Sequence, residues 1–237
     1  MKVVAIVPAL DEEEAIRGVV GDLLLAGIHE VIVVDNGSTD GTASEAAAAG
    51  ATVVFQPERG YGAACIAGVD AAADAGVLVF LDGDATEVMD GLDDMIRAVG
   101  QGHLQLALGV RIGRGERHAM PWQQRLGNSL LAALASRLTG ARLSDLPSLK
   151  VIDGETLRAL DVRDRGYGWT AELITRAAMR KYAIGEFPRA QGKRKGHSKV
   201  TGSALRNLRV GRAIAAKIIR VWNEERGMSQ AKRWYPR

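Results

Sequence analysis

The sequence predicts an α/β protein with a mostly parallel sheet covered by helices on both faces. Two observations carry that prediction. Short runs of β-type residues are apolar at every position rather than at alternate ones, and stretches of helical spacing separate them. The loops after three of these runs are all polar and acidic, as expected where the carboxyl ends of parallel strands form a ligand-binding edge. With 237 residues, 47% hydrophobic and 25% charged, the chain suits a soluble globular domain with a real core.

Residues 2–7 form the first buried run, and 12–26 has helical spacing through Ile16, Val19, Val20, Leu23 and Leu24. Residues 31–34 are a second run, followed by an alanine-rich helix over 40–49 that Asp40 can cap. A third strand over 52–55, a helix of small residues over 62–75 and a fourth strand over 77–81 complete the first half. Beyond about residue 100 the pattern loosens. Residues 104–108 read as a strand ending at Gly109-Val110-Arg111, followed by a polar loop and a helix over 121–138. A strand over 148–152, a helix over 169–181 and a strand over 183–188 come next. The basic stretch 193–199 and a long helix over 203–226 close the chain. Without repeats or a long linker, the expected division is one domain over 1–202, with halves 1–100 and 101–202, and a basic helix and tail over 203–237.

The formal charge of +3 conceals a split. From Arg189 onward there are 14 basic and 2 acidic residues, a net of +12, while residues 1–188 carry a net of −9. The lone cysteine excludes a disulfide scaffold and a cysteine-rich metal site, and it suits a reducing compartment. No targeting or membrane-spanning segment is expected: the apolar start is short and runs into Asp11-Glu12-Glu13-Glu14, and no stretch reaches ~18 apolar residues. The expected location is the cytoplasm.

The acidic loops read Pro8-Ala9-Leu10-Asp11-Glu12, Asp35-Asn36-Gly37-Ser38-Thr39-Asp40 and Asp82-Gly83-Asp84. Asp82 and Asp84, one residue apart at a strand end, can present hard oxygen ligands to Mg²⁺ or Mn²⁺, which substrate phosphates would complete. A solvated turn is the plainer account of the same residues. Asp35 can accept bonds from a base or ribose, while Ser38 and Asp40 cap the next helix. Arg59-Gly60-Tyr61-Gly62 opens a helix, where Gly60 and Gly62 would let the backbone approach a ligand and free N–H groups would suit phosphates or a nucleoside. Cys65 stands where a dinucleotide fingerprint needs its third glycine, so that motif fails. Cys65 itself reads as a packing residue.

These pieces, I-V-P-A-L-D-E-E (6–13), V-V-D-N-G-S-T-D-G-T (33–42), R-G-Y-G-A-A (59–64) and F-L-D-G-D (80–84), resemble family 2 glycosyltransferases of the GT-A fold. The nearest likeness is to the branch containing dolichyl-phosphate mannose and glucose synthases. Leu108–Arg111, Arg125–Asn128, the stretch from Asp145 to Ile152, Tyr167–Leu173 and Arg194–Lys199 continue the likeness in order, so it spans about residues 3–202.

The resemblance implies a nucleotide-diphosphate sugar donor, UDP- or GDP-linked, a divalent metal, and inverting transfer to an acceptor. That acceptor is expected to bear a phosphate, such as a polyprenyl phosphate, or to be a soluble small molecule. By position, Pro8, Ala9, Asp11, Glu12 and Asp35 would surround base and ribose, with Gly60 and Gly62 beside them. Asp82, Gly83 and Asp84 would hold ribose, metal and diphosphate, with Asp82 and Asp84 as metal ligands. Arg111, Arg125, Arg194, Ser198 and Lys199 would neutralise phosphates, in keeping with the charge that develops on a leaving diphosphate. For a hydroxyl acceptor, Asp145 or Glu172 is the available base, Asp145 preferred. Lys150 stands where such relatives commonly carry arginine.

In the last helix Val210, Ile214, Ile218, Val221 and Trp222 fall on one face, and Arg206, Arg209, Lys217 and Arg220 on another. Such a helix over 203–226 can rest on the inner face of an anionic membrane, or pack its apolar side on the domain or on a second copy in a homo-oligomer. No module for specific nucleic-acid binding is present. Two other functions stay open from the residues alone: a sugar-phosphate nucleotidyltransferase, although its glycine-rich loop is missing after the first strand, and a non-catalytic binder of anionic surfaces or nucleic acid.

Overall fold

The computed structural model describes residues 1–85, 89–111, 122–189 and 204–234. Among them are seven strands: β1 Val3–Ala9, β2 Glu30–Asp35, β3 Thr52–Phe55, β4 Val77–Phe80, β5 Leu106–Arg111, β6 Lys150–Asp153 and β7 Ile184–Arg189. The helices between and after them are α1 Glu13–Leu25, α2 Thr42–Ala48, α3 Tyr61–Ala71, α4 Leu92–Gly100, α5 Trp122–Thr139, α6 Gly154–Leu160, α7 Trp169–Met179 and α8 Ala204–Trp234.

The strands form one sheet in the order β3-β2-β1-β4-β6-β5-β7. All pairings are parallel except those of β6, which runs against both β4 and β5. Both faces of the central strands are buried, and their successive residues alternate between them. Val4, Ile6, Ile32, Val34, Leu78 and Phe80 pack with α3, α5, α6, α7 and α8. Ala5, Val7, Val31, Val33, Val77 and Val79 pack with α1, α2 and α4. This two-sided burial is why the strand sequences lack alternation.

Two helices were not legible in the sequence. In α4, Leu92, Met95 and Val99 are buried on one side of a short, otherwise acidic segment that starts from a left-handed Gly91. Helix α6 has only seven residues and follows β6 directly, with the Asp153 carboxylate accepting from Thr156 N at 2.7 Å. A helix that short shows too few turns for its periodicity to register.

The reversed strand β6 brings two separate loops to one edge. Its first residue, Lys150, pairs with Phe80, the last residue of β4. The turn over 145–149 therefore arrives at the same edge as Asp82–Asp84. Arg111 and Arg189, paired at the ends of β5 and β7, belong to that edge too, as do the loops after β1, β2 and β3.

Candidate active site

The first three loops on this edge are tied into one cradle. Asp11, with φ 47°, receives its shape from the second loop: its N–H donates to Ser38 Oγ at 2.9 Å, and its carboxylate accepts from Thr39 N at 2.7 Å. Glu12, buried, donates its N–H to Thr42 Oγ1 at 2.7 Å. Asp35, also buried, folds its own loop by accepting from Ser38 N at 2.9 Å. Ala9 pairs with Asp35 across β1 and β2, and Pro8 with Val34. The third loop is held by Asn36, whose amide donates to the carbonyls of Gln56 and Glu58 and accepts from Gly60 N at 2.7 Å. Arg59 closes back onto Gly37 O at 2.9 Å. Sequence reasoning passed over Asn36, although an asparagine straight after a strand-terminal aspartate was the signal that could have found it.

Gly60 and Gly62 do permit a close approach, but to the chain itself. A Cβ on Gly60 would stand 2.2 Å from Arg165 O, and one on Gly62 2.0 Å from Asp164 O. The N–H groups of Gly62 and Ala63 donate to Gly166 O and Arg165 O at 3.1 and 2.9 Å. The expectation of free donors at the start of α3 is thus corrected: the loop over 164–166 takes two of them.

Asp82 and Asp84 leave β4 together. Asp84 is buried and is followed by Ala85 in a left-handed conformation, and a Cβ on Gly83 would meet Ile16 and Ala9 only at ordinary contact distance. Close to Asp82 is a polar floor made by the buried Cys65 and Lys150 with the half-buried Tyr61 and Thr170. Lys150 is fully buried, with Nζ donating to Pro147 O at 3.0 Å, Ser148 O at 2.6 Å and Thr170 Oγ1 at 3.3 Å, and lying 5.9 and 5.8 Å from the ring centres of Tyr61 and Trp169. Burial pushes the Cys65 thiol up to about 12, the Lys150 ammonium working against that rise and the Asp82 carboxylate adding to it. Burial likewise raises the Tyr61 hydroxyl. That hydroxyl lies beside Cys65 and Thr170 but makes no well-formed hydrogen bond among the described residues. Cys65 is a packing residue, as expected.

Across the edge, Asp145 is buried at the turn before β6, accepting from Leu146 N at 2.8 Å with the Asn128 amide of α5 at 3.5 Å. Asp145 therefore shares the sheet edge with Asp82 and Asp84. Glu172, the alternative base of the sequence reading, is held by partners within the fold. It is 2% exposed, one oxygen accepting from Arg176 Nε at 2.9 Å and the other from Asp164 N at 2.9 Å with Lys217 Nζ 3.6 Å away. It ties α7 to α8.

That tie continues along α8. Arg176 binds Glu224 and Glu225 at 2.9 and 2.8 Å, and Arg180 binds Glu225 at 2.7 Å. Ile218 and Val221 are buried, so the apolar side of α8 packs on the domain. Lys217, expected on a solvated cationic face, pairs with Asp164 at 2.9 Å. Arg111 ends β5 and Arg125 lies in α5, while Arg194, Ser198 and Lys199 lie outside the described residues. Among the described residues no group of three or more His, Cys, Asp and Glu converges as a metal cage, and no helix is long and apolar enough to cross a membrane.

A doubly wound sheet whose acidic strand ends converge on one edge defines a GT-A-type nucleotide-sugar fold, and known proteins agree. Residues 4–149 match the model of glycosyl transferase family 2. The dolichyl-phosphate hexose transferase of Haloferax volcanii is 36% identical over 219 residues, 91% of this chain and 92% of that one. An uncharacterized glycosyltransferase of Mycobacterium tuberculosis is 34% identical over 202 residues, 85% and 90% of the two chains. Among solved structures, glucosyl-3-phosphoglycerate synthase from M. tuberculosis with phosphoglyceric acid is 25% identical with a TM-score of 0.71, covering 94% of this chain and 80% of that one. The same enzyme with Mn²⁺, uridine diphosphate and phosphoglyceric acid gives a TM-score of 0.72 at 25% identity, covering 93% and 78%. The chain belongs to glycosyltransferase family 2. It is an enzyme of that family, which sets aside the nucleotidyltransferase and non-catalytic readings.

Proposed function

We propose that this chain transfers a sugar, with inversion, from a UDP- or GDP-linked donor to a phosphate-bearing acceptor such as a polyprenyl phosphate. The observation that carries the reading is the shared edge: Asp82 and Asp84 end β4 beside the tied loops of Asp11 and Asp35 and beside the turn of Asp145. Pro8, Ala9, Glu12 and Asp35 form the wall for base and ribose. Asp11 and Asp35 each accept from a loop N–H, and a carboxylate oxygen can accept more than one such bond.

Two hard carboxylates one residue apart fit Mg²⁺ or Mn²⁺, which take few protein ligands and complete their shell with water and phosphate. Asp82 and Asp84 would hold the ion, which would offset charge on the leaving diphosphate. The Mn²⁺ and uridine diphosphate bound to the structurally similar synthase support this choice. Arg111, Arg125, Arg194, Ser198 and Lys199 supply the remaining positive and polar groups for donor and acceptor phosphates. An acceptor that is already an anion needs no strong base, leaving Asp145 to orient it.

The lipid form of the acceptor draws support from the Haloferax relative's name and from α8. Lys217 stands level with Glu172 near the start of α7, and Thr170 there meets Lys150 at the site edge. Leu208, Arg209 and Arg212 are exposed on the first half of α8, a surface suited to anionic lipid. A thermal-shift panel of UDP- and GDP-sugars with Mn²⁺ tests the donor: a bound donor stabilises by ~2.7 kcal/mol at a hundredfold excess over its dissociation constant. Product formation with polyprenyl phosphate against 3-phosphoglycerate then separates a lipid from a soluble acceptor.

A further inference from the structure

The geometry points to Lys217, on the C-terminal helix and far along the chain from every loop of the donor cradle, as a positioning residue of the active site. Its ammonium binds Asp164 Oδ2 at 2.9 Å and lies 3.6 Å from Glu172 Oε2, so one cation joins two carboxylates whose side chains are 18% and 2% exposed. The other oxygen of Asp164 accepts from Gly166 N and Gly168 N at 2.8 and 3.1 Å and so fixes the bend of the loop over 164–168. Gly168 leaves the space this needs, since a Cβ there would stand 2.7 Å from Asp164 Oδ2 and 3.1 Å from Lys217 Cγ.

The bend is transmitted to the donor side. The carbonyls of Arg165 and Gly166 accept from Ala63 and Gly62, and a missing Cβ at Gly60 and Gly62 seats the loop directly on the start of α3. Gly60 N in turn donates to Asn36, the residue that ties the loops after β2 and β3. On the other side the same loop runs into Trp169 and Thr170, which meet Lys150 and the turn before β6. Without the ammonium, Asp164 faces Glu172 with one cation fewer. Glu172 keeps Arg176, whereas Asp164 has the loop's own N–H groups. Like charges left in a partly buried setting push apart, and the segment that yields is the loop over 164–168.

A second tie between α8 and α7 offers the control. Glu224 binds Arg176 at 2.9 Å and Arg220 at 3.0 Å without touching that loop. The test compares Lys217→Met, Lys217→Arg and Glu224→Gln in the full chain by hydrogen exchange and by steady-state kinetics. The kinetic arm rests on the glycosyl-transfer reading, and the exchange arm does not. Lys217→Met is expected to speed exchange of the Gly62 and Ala63 amides about tenfold and to raise the donor KM about tenfold, with kcat less affected. Lys217→Arg restores both, and Glu224→Gln lowers the melting temperature with neither change. Exchange and KM that move equally in Lys217→Met and Glu224→Gln, or that stay at wild-type values in Lys217→Met, overturn the assignment. Altered exchange in a protein with no transfer activity of any kind would sustain the assignment of Lys217 to the loop and count against the glycosyl-transfer reading instead.

Discussion

Lys150 lies directly opposite Phe80 in the antiparallel ladder of β6 and β4. The pairing turns the chain around, so that residues before Lys150 and residues after Phe80 meet at one edge. It also buries an ammonium at the base of the site, where the carbonyls of Pro147 and Ser148 and the Thr170 hydroxyl satisfy it. Lys150 is therefore a fastener of the turn before β6, closed off from solvent.

Lys150→Met should leave those two carbonyls short of a partner, at a cost of ~1–3 kcal/mol for each group stranded. Urea unfolding reads the loss of stability. Transfer should slow as well, because Asp145 sits on the same turn. A variant as stable and as active as wild type would remove Lys150 from the account.

Gly62→Ala places a Cβ 2.0 Å from Asp164 O, a backbone atom that cannot swing aside. The expected outcome is destabilisation by roughly 1–3 kcal/mol, as for other overpacked sites, with faster exchange of the Ala63 amide. Gly18→Ala, in the exposed interior of α1 with open space around its site, serves as the clash-free comparison and should stabilise by ~0.5–1 kcal/mol. Equal melting temperatures for the two variants would refute the close approach.

Much of this was legible in the sequence, for reasons that differ by element. The central strands, buried on both faces, announced themselves as uninterrupted apolar runs, and residues 52–55 coincide with the exposed edge strand β3. The acidic loops after β1, β2 and β4 share an edge because parallel strands put their carboxyl ends there. What no local pattern encodes is the direction of β6, and with it the arrival of Asp145 beside Asp82 and Asp84. Nor does spacing show which partner a carboxylate finds: Glu172 looks the same in the sequence whether it meets a substrate or Arg176. Gly60 and Gly62 illustrate the same limit, since a glycine signals a close approach without naming what approaches.

Glu225 is 6% exposed on its side chain and binds both Arg176 and Arg180. Burial works to raise its carboxyl, but Arg180 and Arg176 outweigh it and hold the group below the usual 4.5. The stability it contributes is present above the unfolded value near 4.5 and is lost as pH falls through the lower folded one. Glu225→Ala should cost about 1–3 kcal/mol at neutral pH, because Arg180 loses its carboxylate partner while Arg176 keeps Glu172 and Glu224. The variant's stability curve should also be flatter below pH ~4.5. Parallel acid curves for variant and wild type would contradict this.

The Cys65 thiol, pushed up to about 12 by burial, should resist iodoacetamide at pH 8 in the native protein and react on unfolding. Its neutral form is favoured in the fold, so its contribution is complete below the unfolded value of 9.0 and is lost as pH rises toward 12. Cys65→Ala should therefore flatten the alkaline limb of the stability curve. Rapid native-state alkylation at pH 8 would place the thiol at the surface and remove it from the floor of the site.

The most direct measurement is sugar transfer from a UDP- or GDP-linked donor by wild type and by Asp84→Asn, each assayed with Mn²⁺ and with EDTA. The expected result is transfer by wild type with Mn²⁺, none in EDTA, and at least ~100-fold slower transfer by a folded Asp84→Asn, the scale of losing a principal electrostatic contact to the developing charge. Undiminished transfer by Asp84→Asn, in EDTA as in Mn²⁺, would contradict a metal-assisted reaction at the end of β4.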